Sequence, residues 1–338
     1  MGRRIVAVIL LVLAISIAIM TPVLAFTPIG NNLLSTFAVA TPTPTLSPLQ
    51  LPTPTPPRPV LTVVGQPPTI NAKAAYLLDA ATGNTLDDFH GEVPLPMAST
   101  TKIMTAIIAI QTTDPNVVVT IHQDAIDEVR NNAGSSADLV AGDKLTLKDL
   151  LYGLMLPSGD DAAVAIADTV SGSTDKFVNV MNILAYRLHL YQTHYINPDG
   201  LTYYSAPNTP IPGHYTTAYD LIRLAQYAMK LPLFAQIVKT GYYNLPATTS
   251  HHAYKWVSTN DLLGTHPTEF PTLPGTTGIK TGYTAEAGYC LVFSATHNGH
   301  NLIGVILFDT NTNTVQRFRD AKTLLNWGFG LPVRPPTS

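Results

Sequence analysis

The first candidate for chemistry is a serine and a lysine three residues apart, Ser99 and Lys102, at the start of a segment with helical periodicity. Residues at positions i and i+3 share one face of a helix, so the hydroxyl and the amine are predicted to lie one turn apart. A serine hydroxyl becomes a nucleophile when a base removes its proton, and a lysine amine serves as that base where burial or a neighbouring cation favours its neutral form. Taken alone, the pair is a common pattern that a capped surface helix also explains.

Two further short motifs follow it along the chain. Ser158-Gly159-Asp160 lies between two predicted helices, where a loop can present a second hydroxyl and a short polar side chain. Lys280-Thr281-Gly282 precedes the last predicted hairpin. There a lysine and a threonine on an edge strand can hold a carboxylate, and Gly282 lets a peptide lie against the strand. Each motif alone is typical of an ordinary turn or strand start, but the three in this order indicate a serine-based site.

The three motifs together resemble those of penicillin-binding proteins and serine β-lactamases. Longer segments carry a closer resemblance, to serine D-alanyl-D-alanine carboxypeptidases of the low-molecular-weight penicillin-binding protein family. These segments are Met97–Thr105, Leu154–Gly159, Asn197–Leu201, His214–Asp220 and Gly278–Thr284. The resemblance covers residues 72–327. It implies the α/β (α+β) fold of β-lactamases and penicillin-binding transpeptidases, and an exported enzyme that trims peptidoglycan stem peptides.

The resemblance also implies how such a site works. Ser99 would attack the carbonyl between two D-alanines, Lys102 would act as the base, and Ser158 would relay protons. The backbone N–H groups of Ser99 and Tyr283 would form the oxyanion hole. The implied substrate-binding residues are Asp160, Lys280, Thr281 and Gly282, with Lys280 and Thr281 on the terminal carboxylate. β-Lactams would acylate the same serine, and the resemblance implies neither a metal nor an organic cofactor.

One residue departs from the family pattern, because Asp160 stands where the family usually has the asparagine of Ser-x-Asn. An asparagine donates and accepts hydrogen bonds, whereas an ionised aspartate only accepts them. A carboxylate near Lys102 stabilises the ammonium form and weakens the lysine as a base. We therefore expect reduced activity or a shifted pH optimum, unless Lys280 absorbs the charge. Two alternatives stay open: a β-lactamase, which shares the acylation apparatus, and a catalytically weak module that binds peptidoglycan peptides.

The composition argues against several other classes. The 338 residues are 46% hydrophobic and 12% charged, with a net charge of −3, so no basic stripe is available for nucleic acid. A single cysteine, Cys290, excludes an internal disulfide framework, and its place in a strand pattern predicts a buried, inert thiol. The adjacent pair His251 and His252 lacks carboxylates at ligand spacing, which favours a polar loop over a metal site.

The elements that must position the motifs follow from periodicity and turn signals. One hairpin is predicted over Ala74–Asp79 and Thr85–Phe89, and another over Gly288–His297 and Asn301–Asp309. Helices are predicted over Ser99–Gln111, Leu145–Leu156, Asp161–Val170, Phe177–Leu188, Thr217–Lys230 and Thr314–Trp327. Strands at both ends with helices between them predict an antiparallel sheet built from the two termini, flanked by helices, with a helical subdomain.

The N-terminal sequence predicts export. Residues 1–26 combine basic Arg3 and Arg4 with an apolar run, which fits either a cleaved signal peptide or a retained anchor long enough to span a bilayer core of about 30 Å. Residues 27–70 form a predicted Pro/Thr-rich linker, since Thr41–Pro59 holds eight prolines and five threonines. The carboxypeptidase domain is predicted over residues 71–332. We expect it at the extracytoplasmic face of the cell membrane, or secreted to the cell wall if the segment is cleaved.

Overall fold

The computed structural model describes residues 59–266, 272–310 and 312–334. The predicted export segment and most of the predicted linker lie outside these ranges. Within them, no helix is both long and apolar enough to cross a membrane.

The described residues form the predicted strands and helices in the predicted order, together with elements that were not predicted, among them the ten-residue helix Gln123–Asn132. The strands are β1 (Val60–Leu61), β2 (Ala74–Asp79), β3 (Asn84–Phe89), β4 (Val118–Thr120), β5 (Lys144–Thr146), β6 (Tyr204–Ala206), β7 (Thr209–Pro210), β8 (Tyr242–Leu245), β9 (Tyr254–Val257), β10 (Thr276–Thr284), β11 (Gly288–His297), β12 (His300–Leu307) and β13 (Val333–Arg334). The α-helices are α1 (Lys102–Thr112), α2 (Gln123–Asn132), α3 (Leu147–Met155), α4 (Asp160–Ser171), α5 (Thr174–Arg187), α6 (Ala218–Ala228), α7 (Pro232–Val238) and α8 (Gln316–Phe329).

The central feature is a five-stranded antiparallel sheet in the order β10-β11-β12-β2-β3. Strand β2, near the start of the domain, pairs with β12 near its end, with Leu78 opposite Ile303. The β11–β12 hairpin turns at Asn298 and Gly299, which both have positive φ, as tight hairpin turns require. The prediction of an antiparallel sheet made from both termini is therefore confirmed, and β10 is one of its edges.

Because successive side chains along each strand point to opposite faces, the hydrophobic core is divided between the two faces of the sheet. On β2, the side chains of Tyr76 and Leu78 join a large cluster with α1, α3 and α6, whereas Leu77 joins a second cluster with α8. Successive side chains of a strand point to opposite faces, so a strand with no polar face must be covered on both sides. The short turn that carries Ser99 leads into α1 on one of these sides, and β10 lies beside it.

One prediction about the site's local structure is wrong in detail. Ser99 does not belong to the α-helix but to a preceding 3₁₀ turn, Ala98–Thr101, and α1 begins at Lys102. Within this turn the Thr100 hydroxyl donates to the Met97 carbonyl at 2.6 Å, and the Thr101 hydroxyl donates to the Ala98 carbonyl at 2.7 Å. Because the two hydroxyls donate to backbone carbonyls within the turn, they favour 3₁₀ geometry over α-helical geometry there.

Candidate active site

The serine and the lysine of the first motif lie in contact. The 3₁₀ turn carries Ser99 directly into α1, and Lys102 Nζ lies 3.0 Å from Ser99 Oγ. Ala98, just before the serine, has a φ of 47°, a left-handed conformation that non-glycine residues rarely adopt. The contact predicted from the i, i+3 spacing is thus present, although a 3₁₀ turn produces it.

Lys102 is buried and uses all three of its donor positions. Besides Ser99 Oγ, its ammonium group donates to Asp160 Oδ1 at 2.5 Å and to the Asp199 carbonyl at 2.8 Å. A lysine ammonium has three N–H donors and no acceptor. In this arrangement the lysine therefore donates to the serine hydroxyl, and it must lose a proton before it can accept one.

Both carboxylate oxygens of Asp160 accept hydrogen bonds. It is the first residue of α4, where the helix dipole favours a negative charge. Its Oδ1 takes the Lys102 bond, and its Oδ2 accepts the backbone N–H of Ser135 at 2.7 Å. Lys280, which the sequence offered as an alternative partner, instead donates to the carbonyl of Thr281 at 3.0 Å. The carboxylate is therefore paired with Lys102.

Asp199 is the buried acid that no sequence argument assigned to the site, although it lies within the quoted segment Asn197–Leu201. Its Oδ1 accepts the N–H of Leu201 at 2.7 Å, and burial, reinforced by the charge of Asp160, raises its pKa to about 8. The following Gly200 has a φ of 95°, and a Cβ there would lie 2.0 Å from the Ala98 carbonyl oxygen. The Asp-Gly pair, a turn signal in the sequence, marks this close approach to the serine turn.

Ser158 lies between α3 and α4 with a φ of 71°. Its side chain is buried, and its hydroxyl has no hydrogen-bond partner among the described residues. A buried hydroxyl without a partner is costly in a resting protein. The position suits a group that exchanges protons with a bound substrate.

The third motif lies on edge strand β10. Lys280 and Thr281 are buried, and the pKa of Lys280 is far below its usual range because of burial and the nearby Lys102 charge. The hydroxyls of Thr281 and Thr259 are 2.6 Å apart. A Cβ on Gly282 would lie 3.1 Å from the backbone nitrogen of Ser99, so β10 passes directly beside the serine.

Tyr283, the other implied oxyanion residue, follows Gly282 on the same strand. Its side chain is exposed, and its ring stacks on that of Tyr289 with 4.4 Å between centroids. The structure thus places Lys102 and Gly282 beside Ser99, and Asp160 beside Lys102. Lys280, Thr281 and Tyr283 lie on the same strand as Gly282, and Ser158 precedes α4.

A histidine that the sequence did not assign supports the serine turn. His214 Nε2 lies 2.7 Å from the Thr101 hydroxyl, while its Nδ1 accepts the N–H of Ile196 at 3.2 Å. Burial, together with the charges of His194 and Lys102, lowers the pKa of His214 to about 3. The ring is therefore neutral near pH 7 and donates through Nε2.

The other candidate residues stand apart from this site. His252 Nδ1 lies 2.9 Å from Asp143 Oδ1, and the described parts of the chain hold no group of three ligating side chains suited to a metal. Cys290 is buried, and burial raises its pKa to about 11, so its thiol is protonated near pH 7.

A serine and a lysine in contact on a helix start, beside the edge of an antiparallel sheet, define a serine hydrolase of the penicillin-recognising class. A family model described as D-alanyl-D-alanine carboxypeptidase, peptidase family S11, matches residues 62–311. The chain therefore belongs to this family and is a carboxypeptidase of this type.

Individual relatives agree with this assignment. A D-alanyl-D-alanine carboxypeptidase of Streptomyces sp. K15 is 38% identical over 78% of this chain and 89% of its own length. DacF of Bacillus subtilis is 34% identical, with 70% of this chain and 57% of that protein covered. The crystal structure of the Streptomyces K15 DD-transpeptidase superposes with a TM-score of 0.70 over 79% of this chain and all of that one, at 38% identity. A D-alanyl-D-alanine carboxypeptidase from Mycobacterium tuberculosis gives a TM-score of 0.68 at 29% identity, over 80% of this chain and 96% of that one.

These similarities confirm the predicted family and the predicted fold class. They favour the carboxypeptidase over both alternatives, the β-lactamase and the catalytically weak binding module.

Proposed function

We propose that the protein removes the terminal D-alanine from peptidoglycan stem peptides through an acyl-enzyme on Ser99. The observation that carries this proposal is the 3.0 Å contact between Ser99 Oγ and the buried Lys102 amine, beside the open edge of β10. Substrate peptides that end in D-Ala-D-Ala would lie along this edge, as an added strand does in other peptide-binding sheets.

Acylation begins with the loss of one proton from Lys102. This proton passes to bulk solvent, and the Asp160 carboxylate, with Oδ1 2.5 Å from Lys102 Nζ, opposes its loss because it stabilises the ammonium form. The amine then takes the Ser99 proton while Oγ forms a bond to the substrate carbonyl carbon. The carbonyl electrons move to the oxygen, which the backbone N–H groups of Ser99 and Tyr283 would stabilise.

Collapse of this intermediate releases D-alanine. The C–N bond breaks, and the leaving nitrogen receives the proton from Lys102 through the Ser158 hydroxyl, whose lack of a partner among the described residues leaves it available. Water then hydrolyses the ester and restores the Ser99 hydroxyl. β-Lactams would acylate the same oxygen and stop at that stage.

Lys280 and Thr281 are proposed to hold the terminal carboxylate of the substrate. Burial makes the ammonium form of Lys280 costly when no anion lies beside it, as its lowered pKa indicates. An arriving carboxylate stabilises that form, so the lysine becomes a stronger partner when substrate binds. The Thr281 hydroxyl, fixed by Thr259, adds a directional donor.

The protein is further proposed to act outside the cytoplasm. Arg3, Arg4 and the apolar run after them support export, with residues 1–26 as a cleaved signal or an uncleaved membrane anchor. In the anchored case, the Pro/Thr-rich segment would act as a stalk toward the cell wall.

The test measures D-alanine released by the full-length protein from an acylated peptide ending in D-Ala-D-Ala. Release by the wild type and none by Ser99→Ala would support the assignment. Labelling of Ser99 by a fluorescent penicillin, without release of D-alanine, would contradict the proposed turnover.

A further inference from the structure

Five aromatic side chains lie on the surface from the end of α5 to the segment before α6. They are Tyr186, His189, Tyr191, His194 and Tyr215, and we refer to them as the aromatic band. Tyr186 is 71% exposed and Tyr191 is 64% exposed. Single exposed apolar side chains are common on proteins, whereas a group of neighbouring ones marks a binding surface.

The rings of the aromatic band contact one another in two groups. Tyr191 packs edge-on against Tyr186 and His189, with 5.7 Å and 5.6 Å between ring centroids. His194 stacks on Tyr215 at 6.2 Å, and an antiparallel β-bridge joins the backbones of these two residues. His194 follows Tyr191 by three positions, so the Cα atoms of these two residues are at most about 11 Å apart.

Hydrogen bonds fix the orientation of both histidines. His189 Nδ1 lies 2.5 Å from the Tyr191 hydroxyl, and His194 Nδ1 donates to the Gly213 carbonyl at 2.6 Å. Side chains that are already held in place lose little rotational freedom when a ligand stacks on them, which favours binding. The aromatic band therefore offers oriented ring faces with polar groups at their edges.

One end of the aromatic band borders the proposed active site. Tyr215 lines a cleft together with Ala98 of the serine turn and Thr284 of β10. In the proposed function, the substrate carboxylate lies at Thr281 and the reacting carbonyl at the N–H of Tyr283, so the N-terminal part of the peptide continues past Thr284. A stem peptide is joined through its N-terminus to a sugar of the glycan strand. That strand therefore lies on the side of the site where the aromatic band begins.

The chemistry of the aromatic band fits sugar rings better than a lipid surface or a nucleic acid. From Ile183 to His194 the chain has one arginine, Arg187, and no lysine or acidic residue. Anionic lipid headgroups and nucleic-acid phosphates are bound by clustered cations. A sugar ring instead presents C–H groups on its face and hydroxyls at its edge. The C–H groups are attracted to the negative face of an aromatic ring, and the hydroxyls pair with tyrosine hydroxyls.

We infer that the aromatic band binds the glycan strand to which the stem peptide is attached, with sugar rings stacked on Tyr186 and Tyr191. This inference rests on the proposed function and extends it to the class of substrate, stem peptides carried on a glycan polymer in preference to free peptides. No bond forms or breaks at the aromatic band, so it should affect KM and leave kcat unchanged.

The direct experiment measures binding of the full-length protein to soluble glycan strands from which the stem peptides have been removed. We expect the wild type to bind, and the double variant Tyr186→Ala/Tyr191→Ala to bind about tenfold more weakly, the loss expected for two aromatic stacking contacts. Tyr242→Ala is the matched control, because Tyr242 is an exposed tyrosine on β8 outside the aromatic band, and it should bind as the wild type does.

A kinetic experiment compares D-alanine release from polymeric, uncross-linked peptidoglycan with release from the free stem peptide of the same sequence. In the wild type, KM per stem peptide should be about tenfold lower for the polymer. In Tyr186→Ala/Tyr191→Ala the two KM values should become similar, while kcat stays at the wild-type value. Tyr186→Phe/Tyr191→Phe keeps both ring faces and should keep most of the preference for the polymer.

The outcomes distinguish this inference from the function on which it rests. Release of D-alanine from the free peptide, with no binding of glycan or with equal binding by the wild type and Tyr186→Ala/Tyr191→Ala, would overturn the inference and leave the proposed function intact. Loss of self-association in this variant, without loss of glycan binding, would assign the aromatic band to a second copy of the chain and also overturn the inference. Glycan binding that depends on the aromatic band, without D-alanine release from any substrate, would overturn the proposed function while the contact with glycan would stand.

Discussion

Replacing Asp160 by asparagine tests the role of the carboxylate that departs from the family pattern. Lys102 and Asp160 are both buried, with 2.5 Å between Nζ and Oδ1. The substitution removes the negative charge that favours the ammonium form of the lysine. The amine should then be neutral at lower pH, so we expect the acid limb of the kcat/KM profile to move to lower pH.

The size of the expected pH shift follows from the contact between Lys102 and Asp160. Coulomb's law at an effective dielectric constant of about 20 gives about 7 kcal/mol for unit charges at this distance, an upper limit before desolvation is subtracted. Hydrogen bonds to charged groups contribute about 1.5–3 kcal/mol and neutral ones about 0.5–1.5 kcal/mol, a difference of about 1–1.5 kcal/mol. One pH unit corresponds to about 1.4 kcal/mol, so the acid limb should move by about 1 pH unit.

The same change has a structural cost. The Ser135 N–H donates to Asp160 Oδ2, and an amide placed with its oxygen toward Lys102 turns its own N–H₂ toward that donor. We expect a loss of about 1–3 kcal/mol in the free energy of unfolding from this unmatched pair. Thermal unfolding would record it separately from the pH–rate profile.

The assay follows D-alanine release from about pH 5 to 10, with Asp161→Asn as the matched control. Asp161 is the adjacent buried carboxylate, but it accepts from Ser136 and the backbone of Ala137 instead of Lys102. The Asp161→Asn enzyme should be less stable than the wild type, but the acid limb of its kcat/KM profile should lie at the wild-type pH. A folded Asp160→Asn enzyme with the wild-type acid limb would refute the reasoning.

Three other substitutions probe the rest of the site. Ser99→Ala should lower kcat for D-alanine release by about 10⁴-fold or more and abolish labelling by a fluorescent penicillin, and residual labelling would identify another nucleophile. Gly200→Ala places a Cβ 2.0 Å from the Ala98 carbonyl oxygen at a φ of 95°, so both Tm and kcat/KM should fall. Gly172→Ala has a similar φ of 77° with no atom within 4 Å of the Cβ, so it should lower only Tm, and by less. The raised pKa of Asp199, about 8 against 3.8 when unfolded, means that its protonated form favours folding at low pH and that this stability is lost as pH rises through about 8. From pH 6 to 8 the wild type should therefore lose about 2 kcal/mol of unfolding free energy that Asp199→Asn does not lose, and equal losses in urea titrations would contradict the assignment.

The sequence predicted most of the architecture because its signals are local. The Asn298-Gly299 turn between two β-rich runs predicted the β11–β12 hairpin, which the structure contains. Thr146 and Asp149 have the residue types and spacing of a helix capping box, and they form the capping box of α3. Short elements such as α7 and the β8–β9 pair were missed, since four to seven residues give too little periodicity.

In the candidate site, too, the sequence predicted contacts between near neighbours in the chain but not contacts between distant segments. Spacing alone placed Ser99 and Lys102 in contact, because three residues along one turn fix their separation. The sequence shows that an aspartate stands at position 160 where the family usually has an asparagine. It did not show which lysine pairs with Asp160, since Lys102 and Asp160 are 58 residues apart.

By itself, the sequence determined the family, the order of the strands and helices, and the residues that could do chemistry. Those properties depend on motifs, turns and periodicities within a few residues. Only the tertiary structure decided that Asp160 pairs with Lys102 and not with Lys280, and that the Asp199 carbonyl accepts a further hydrogen bond from the Lys102 ammonium group. It also decided that His214 contacts the serine turn through the Thr101 hydroxyl. These contacts join segments 58 to 113 residues apart, and their geometry is set by how the helices pack on the sheet.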